Sequence, residues 1–157
     1  MEFDIAEKIV VLLDRPAHPG NIGATARAMG NMGLHQLRLI NPRLFPHPEA
    51  IDFAASATSI LEECRVFSTM EEAVSDLNYL VAVTNRSRGQ RHTVLTPRQL
   101  GAQMGLILSR PKTQVGLMFG TERTGLATID VSRADILCNI PTSGSHGSLN
   151  LSQAVLI

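Results

Sequence analysis

The feature that most limits what this chain can fold into is a recurrence. Five short apolar runs stand at residues 8–13 (KIVVLL), 36–41 (QLRLIN), 79–84 (YLVAVT), 114–119 (QVGLMF) and 135–140 (DILCNI). Runs this short, bounded by Gly, Pro, Asn or Asp, read as strands. Helical segments lie between them. Residues 22–29 predict a short helix with Asn21 as N-cap, and 49–63 a longer one with alanines along one side. Thr69 caps a helix over 70–77, and Thr96 with Pro97 opens another that reaches 108. A short strand is expected at 65–67, and a last helix from Ser148 to the end of the chain. Strands and helices alternating through short connections predict an α/β fold with a mostly parallel sheet flanked by helices.

At 157 residues the chain is the size of one domain, and 44% of it is hydrophobic, ample for a core. Trp is absent and aromatics are 4%, so the core is built from Ile, Leu, Val, Ala and Met, which suits a buried parallel sheet. Cys64 and Cys138 stand in apolar surroundings far apart in sequence and read as reduced thiols. The first residues are acidic and lack a leader's apolar run, and no stretch is long enough to span a membrane, so a cytoplasmic protein is expected. The five histidines show no metal-ligand spacing, and no metal is expected.

The formal net charge is zero, yet the charges are unevenly spread. No acid occurs between Asp14 and Glu49, nor between Asp76 and Glu122. Those stretches hold ten of the fourteen cations: Arg15, Arg27, Arg38, Arg43, Arg86, Arg88, Arg91, Arg98, Arg110 and Lys112. If they share a face, that face attracts a polyanion; if not, they are ordinary solvated surface.

Ligands of open α/β sheets bind beyond the carboxyl ends of the strands, so the loops there matter most. Three stand out: 20–28 (GNIGATARA), 119–126 (FGTERTGL) and 140–152, which holds Ile140, Pro141, Gly144, Gly147, Ser148, Leu149, Asn150 and Ser152. Singly, each reads equally as a helix cap or a tight turn. The G-x-G-x-x-G of dinucleotide folds and the G-x-x-x-x-G-K-[ST] of P-loop NTPases are both missing.

Together and in this order, the three loops resemble the sequence motifs of the SPOUT superfamily of RNA methyltransferases. The nearer resemblance is to its SpoU-type branch and to the TrmJ-like tRNA 2′-O-methyltransferases within it. The tract NIGATARAMGNMGL followed by LRLINP carries the likeness furthest. It implies a single SPOUT domain over residues 1–157, trimmed at its C-terminus, with a deep trefoil knot near that end. It also implies a homodimer that uses S-adenosylmethionine, with S-adenosylhomocysteine as product. The reaction implied is methylation of a ribose 2′-hydroxyl of tRNA in the anticodon loop. A ribosomal RNA methyltransferase of the same fold and a non-catalytic RNA-binding module remain as alternatives.

Carried over residue by residue, the resemblance implies a cofactor pocket of Val83, Thr84, Asn85, Gly120, Ile140, Gly147, Ser148 and Leu149. It assigns Arg27 to the 2′-hydroxyl, with Asn21 in support. A guanidinium stays protonated, so stabilising a developing alkoxide is its natural role. Glu122 is expected to orient Arg27 or Arg123, and Ser148 or Ser152 to cap the last helix or touch the cofactor. Arg86, Arg88 and Arg91 are expected to meet RNA phosphates, and a site completed across a two-fold interface is expected.

Overall fold

A computed structural model describes residues 4–85, 93–145 and 147–157. Seven strands form one sheet: β1 (Ile9–Asp14), β2 (Gln36–Ile40), β3 (Arg65–Phe67), β4 (Tyr79–Val83), β5 (Thr93–Leu95), β6 (Val115–Phe119) and β7 (Ile136–Cys138). Their order is β3-β2-β1-β6-β4-β7-β5, and every pairing is parallel. The predicted α/β architecture is therefore the one observed. β5 was not foreseen: three residues at a sheet edge carry too little periodicity to signal a strand.

The helices are α1 (Pro19–Asn31), α2 (Pro48–Ala54), α3 (Thr58–Glu63), α4 (Met70–Val74), α5 (Pro97–Leu108), α6 (Thr128–Ser132) and α7 (Leu151–Leu156). Among the described residues, no helix is long and apolar enough to cross a membrane. Alternate residues of the central strands serve opposite layers, as a period of two demands. Val11, Leu13, Leu37 and Leu39 bury against Ile22, Ala26 and Met29 of α1 and the alanines of α2. Val10, Leu12, Ala82, Met118 and Leu137 bury on the other side, against Met70, Ala73 and Val131. Both faces are covered, so the strands tolerate the unbroken apolar runs seen in the sequence.

Helix boundaries depart from expectation in four places, the simplest being α4, which stops at Val74 instead of 77. α1 begins at Pro19, two residues before Asn21, because a proline at N1 already has the helical φ and lacks the amide that would need a partner. Asn21 thus sits inside the helix with its side chain free to bond elsewhere. The segment 49–63 is two helices: Ala55 adopts a φ of 50° and a short 3-10 turn, Ala55–Ala57, joins them. The break lets α2 lie against Gly23, where an added Cβ would come within 2.1 Å of the Ala50 carbonyl oxygen, while Ala57 meets Gly30 further along α1. The last helix starts at Leu151, with Asn150 rather than a serine as its cap: Asn150 Oδ1 accepts from the Ser152 amide at 3.0 Å.

The uneven charge does not resolve into one face. Arg38 is only 4% exposed; it donates to both carboxylate oxygens of Asp76, at 2.6 and 2.9 Å, and to the Ala73 carbonyl oxygen. Arg110 donates to the Tyr79 hydroxyl at the start of β4, the opposite end of the sheet from the three loops singled out above. Arg15 and Arg43 remain at the carboxyl edge, at the exits of β1 and β2.

Candidate functional site

The chain order reverses direction across the sheet. It runs outward through β1, β2 and β3, then returns on the far side of β6 to make β4. A crevice is expected beyond the strand ends at such a switch point. A cleft of about 190 Å³ lies there. Its walls are the ends of β4 (Val83, Thr84, Asn85) and β6 (Phe119, Gly120), the loop 121–125, Ile140, Ser148 and Leu149, with Leu151 and Ala154 of α7.

Local chemistry explains each wall. The Thr84 amide donates to the Cys138 carbonyl oxygen at 3.0 Å, which carries the pairing of β4 and β7 one residue past the strand. The Asn85 side-chain amide donates to the Gly147 carbonyl oxygen, tying the β4 exit to the segment before α7. After β6 the chain folds back on itself. Thr121 and Gly125 form an antiparallel bridge, Gly125 takes a φ of 69°, and the Thr121 and Thr124 hydroxyls meet at 2.6 Å. The return lies directly on Gly120, where an added Cβ would stand 2.1 Å from Gly125 C and Leu126 N. Only glycine fits that position.

A second set of contacts joins this loop to the start of α1. The Glu122 carboxylate accepts from the backbone amides of Ala17, at 3.0 and 3.3 Å, and His18, at 3.3 Å, and from the Asn21 side-chain amide at 3.2 Å. Asn21 Oδ1 in turn accepts from Asn150 Nδ2 at 3.2 Å, and Asn150 Oδ1 accepts from the Ser152 hydroxyl at 2.7 Å. One hydrogen-bonded chain therefore links all three loops. Burial disfavours charge on Glu122, but the amides aimed at it outweigh that and hold its pKa below the ordinary carboxylate value. Glu122 bonds neither Arg27 nor Arg123; its carboxylate is occupied by α1 and the turn before it.

Seven of the eight residues expected in the pocket line this cleft: Val83, Thr84, Asn85, Gly120, Ile140, Ser148 and Leu149. Gly147 contributes the carbonyl oxygen that Asn85 holds. Asn21 stands one hydrogen bond away. Arg27 does not join them within one chain. Six residues further along α1 it is turned about 240° and displaced about 9 Å. It is exposed and borders a separate depression of about 330 Å³ with Gly30, Asn31, His35, Ser56 and Ser59. The two depressions share no lining residue. Arg86, Arg88 and Arg91 lie outside the described residues. The loop 119–126 was singled out in the sequence, but only Gly120 of it was named for the pocket; residues 121–125 line the cleft as well.

Residues 8–157 match the SpoU rRNA Methylase family. The chain belongs to this SpoU family. Among curated SpoU relatives, the tRNA (cytidine/uridine/adenosine-2′-O-)-methyltransferase TrmJ of Pseudomonas aeruginosa (strain UCBPP-PA14) is 40% identical over 151 residues, 96% of this chain and 58% of that protein. The crystal structure of TrmJ from Z. mobilis ZM4 superposes with a TM-score of 0.86 at 41% identity, covering 94% of this chain and 65% of that one. The SpoU methyltransferase AviRb from Streptomyces viridochromogenes, solved in complex with AdoMet, shares the fold at a TM-score of 0.68 and 24% identity, covering 95% of this chain and 54% of that one. The chain thus spans less than two thirds of the length of curated relatives that it matches.

The residues present fit a nucleoside cofactor. Val83, Phe119, Ile140, Leu149, Leu151 and Ala154 give apolar surface for a flat base, and Asn85, Ser148 and the loop 121–125 set polar atoms at its rim.

Proposed function

We propose that this chain is the catalytic domain of a cytoplasmic, S-adenosylmethionine-dependent RNA ribose 2′-O-methyltransferase whose substrate is tRNA. One observation carries the reading: two loops far apart in a SpoU-family chain line one cleft, and a third is bound to both of them through Asn21, which bonds Glu122 and Asn150. The names of the TrmJ relatives supply the substrate class, and the AviRb complex supplies a cofactor precedent on the same fold.

When bound, S-adenosylmethionine supplies an electrophilic methyl group, so the protein has only to hold, orient and stabilise charge. In this reading Val83, Ile140 and Leu149 would hold the adenine by apolar contact, and Thr84, Asn85 and Ser148 would offer it polar partners. Gly120 admits the loop backbone, and Gly147 is kept in place by Asn85. Asn21 is a positioning residue: it fixes α1 against the 119–126 loop and the cap of α7. Arg27 stabilises the developing 2′-alkoxide while the proton leaves to phosphate or water. Because Arg27 borders a separate depression in its own chain, the reading includes a homodimer in which it acts on the partner's cleft. A trefoil knot in the return from β7 to α7 belongs to the same reading, as do RNA contacts by Arg86, Arg88 and Arg91.

The test is methyl transfer from labelled S-adenosylmethionine to bulk tRNA and to ribosomal RNA, with wild type and Arg27→Ala in parallel. The expected result is label in tRNA that resists alkali at one linkage and is lost in the variant. Label in ribosomal RNA alone would replace the substrate, and cofactor binding with no transfer to either RNA would overturn the catalytic assignment.

A further inference from the structure

The strand order brings the exits of β2, β1 and β6 side by side, and each exit loop carries an exposed arginine: Arg43, Arg15 and Arg123. These residues are unrelated by sequence spacing; the sheet alone makes them a row. Strands pair about 4.8 Å apart, so the three exits cover about 10 Å. The loops are also tied to one another. The Arg15 amide donates to the Ile40 carbonyl oxygen at 2.7 Å, and the Arg43 amide to the Pro16 carbonyl oxygen at 3.1 Å. On the other side, Ala17 and His18 donate to Glu122, the neighbour of Arg123.

The charges in this row are available. Among the described residues, neither Arg43 nor Arg123 has a side-chain partner in a hydrogen bond or ion pair. Glu122, the acid nearest in the chain, already accepts from three donors. Arg15 is bound on one side by Asp14 Oδ2, through Nε at 3.3 Å and Nη2 at 3.2 Å, but Asp14 is buried and the Arg15 side chain is 49% exposed. The pair aims the guanidinium without hiding it. Arg15 also holds a φ of 46°, where glycine is the unstrained choice. A long cation stands there at a conformational cost, which points to its side chain as the reason.

We propose that Arg43, Arg15 and Arg123 form a phosphate-binding row that leads an RNA backbone across the ends of β2 and β1 to the cleft at β6 and β4. The proposal rests on the RNA reading above. Guanidinium groups grip phosphate oxygens bidentately and read no base, so the row sets the position of the RNA and not its sequence.

The test measures binding of fluorescently labelled, unfractionated tRNA over a potassium chloride series. It compares wild type, the double variant Arg15→Gln/Arg43→Gln, and a double variant with the same charge change at the opposite sheet edge, Arg110→Gln/Lys112→Gln. At about 0.7–0.9 per phosphate contact, the slope of log affinity against log salt falls by about 1.4–1.8 in the first variant, and affinity near 0.1 M salt drops about tenfold. The second variant keeps the wild-type slope. Arg43→Gln alone, at an exposed position without a partner, lowers the slope by about half as much and keeps the wild-type melting temperature, which separates binding from folding. Equal slopes in both double variants overturn the row while leaving the RNA reading intact. A wild-type chain that binds no tRNA at any salt overturns both.

Discussion

Asn21 Nδ2 donates to Glu122 Oε1 across 3.2 Å, joining residues 101 positions apart and fastening the first turns of α1 to the loop that closes over Gly120. Glu122 also gathers the amides of Ala17 and His18, so its charge holds the entry into α1. Glu122→Gln keeps the shape and removes that charge. Because Glu122 is only partly buried and solvent screens its charge, the loss at neutral pH is about 1 kcal/mol. The folded pKa lies below the ordinary 4.5, so this contribution is present above about pH 4.5 and disappears as pH falls through the lower folded value. Urea unfolding of both forms at pH 7 and at pH 3–4 checks this: the two curves should converge on acidification, and a constant gap would show that charge is not what Glu122 contributes.

Two glycines in different settings should respond in opposite ways. Gly120→Ala forces a Cβ to within 2.1 Å of backbone that cannot yield, so stability falls by about 3 kcal/mol or more and cofactor binding is lost with the cleft. Gly101→Ala, in α5 with nothing within 4 Å of the added Cβ, raises stability by about 0.5–1 kcal/mol through helix propensity and chain entropy. Equilibrium unfolding with calorimetric titration of S-adenosylmethionine reads both. A tolerated Gly120→Ala would show that the loop does not rest on the β6 end.

Arg38 and Asp76 give an asymmetric pair of substitutions. Asp76→Asn leaves a guanidinium that is 4% exposed without its counter-charge, costing about 2 kcal/mol after discounting the half-exposed carboxylate. Arg38→Met removes the charge and keeps an unbranched apolar stem against Phe67, and costs less. The hydrogen bond from Arg38 holds the Asp76 pKa below its usual 3.8, so the pair's contribution is present above about pH 4 and is lost as pH falls through the lower folded value. Denaturant midpoints of the two variants rank them; the reverse order would refute the buried-charge argument.

The two thiols should be slow to react and unable to bridge. Burial pushes Cys64 up to about 11 and raises Cys138 as well, so neither offers thiolate near neutral pH. Cys64 directly precedes β3 and Cys138 ends β7, five strand intervals away, or about 24 Å, far beyond disulfide reach. Alkylation at pH 8 should therefore be slow in the native protein and prompt for both thiols in urea. Rapid native labelling of Cys64 would contradict its burial.

Much of this protein was determined by sequence alone. The five principal strands, the α/β class and the three loops were legible because hydrophobic period and turn residues are local signals, and the loops together carried the family resemblance. Strand ends, β5, the kink at Ala55 and the true start of α1 were not legible, because close approach of other elements decides them. Gly23 is spaced by Ala50, and Asn21 is drawn inside α1 to serve Glu122 and Asn150. The acid-free stretches showed how many cations there were but not where they stand: the fold buries Arg38, sends Arg110 to the far edge and aligns Arg43, Arg15 and Arg123. Arg27 makes the same point, named by its motif yet set by the helix on a different depression from the cleft. Local preference needs only neighbours along the chain, whereas sites are made by side chains that strand order and helix rotation bring together, and those are properties of the folded whole.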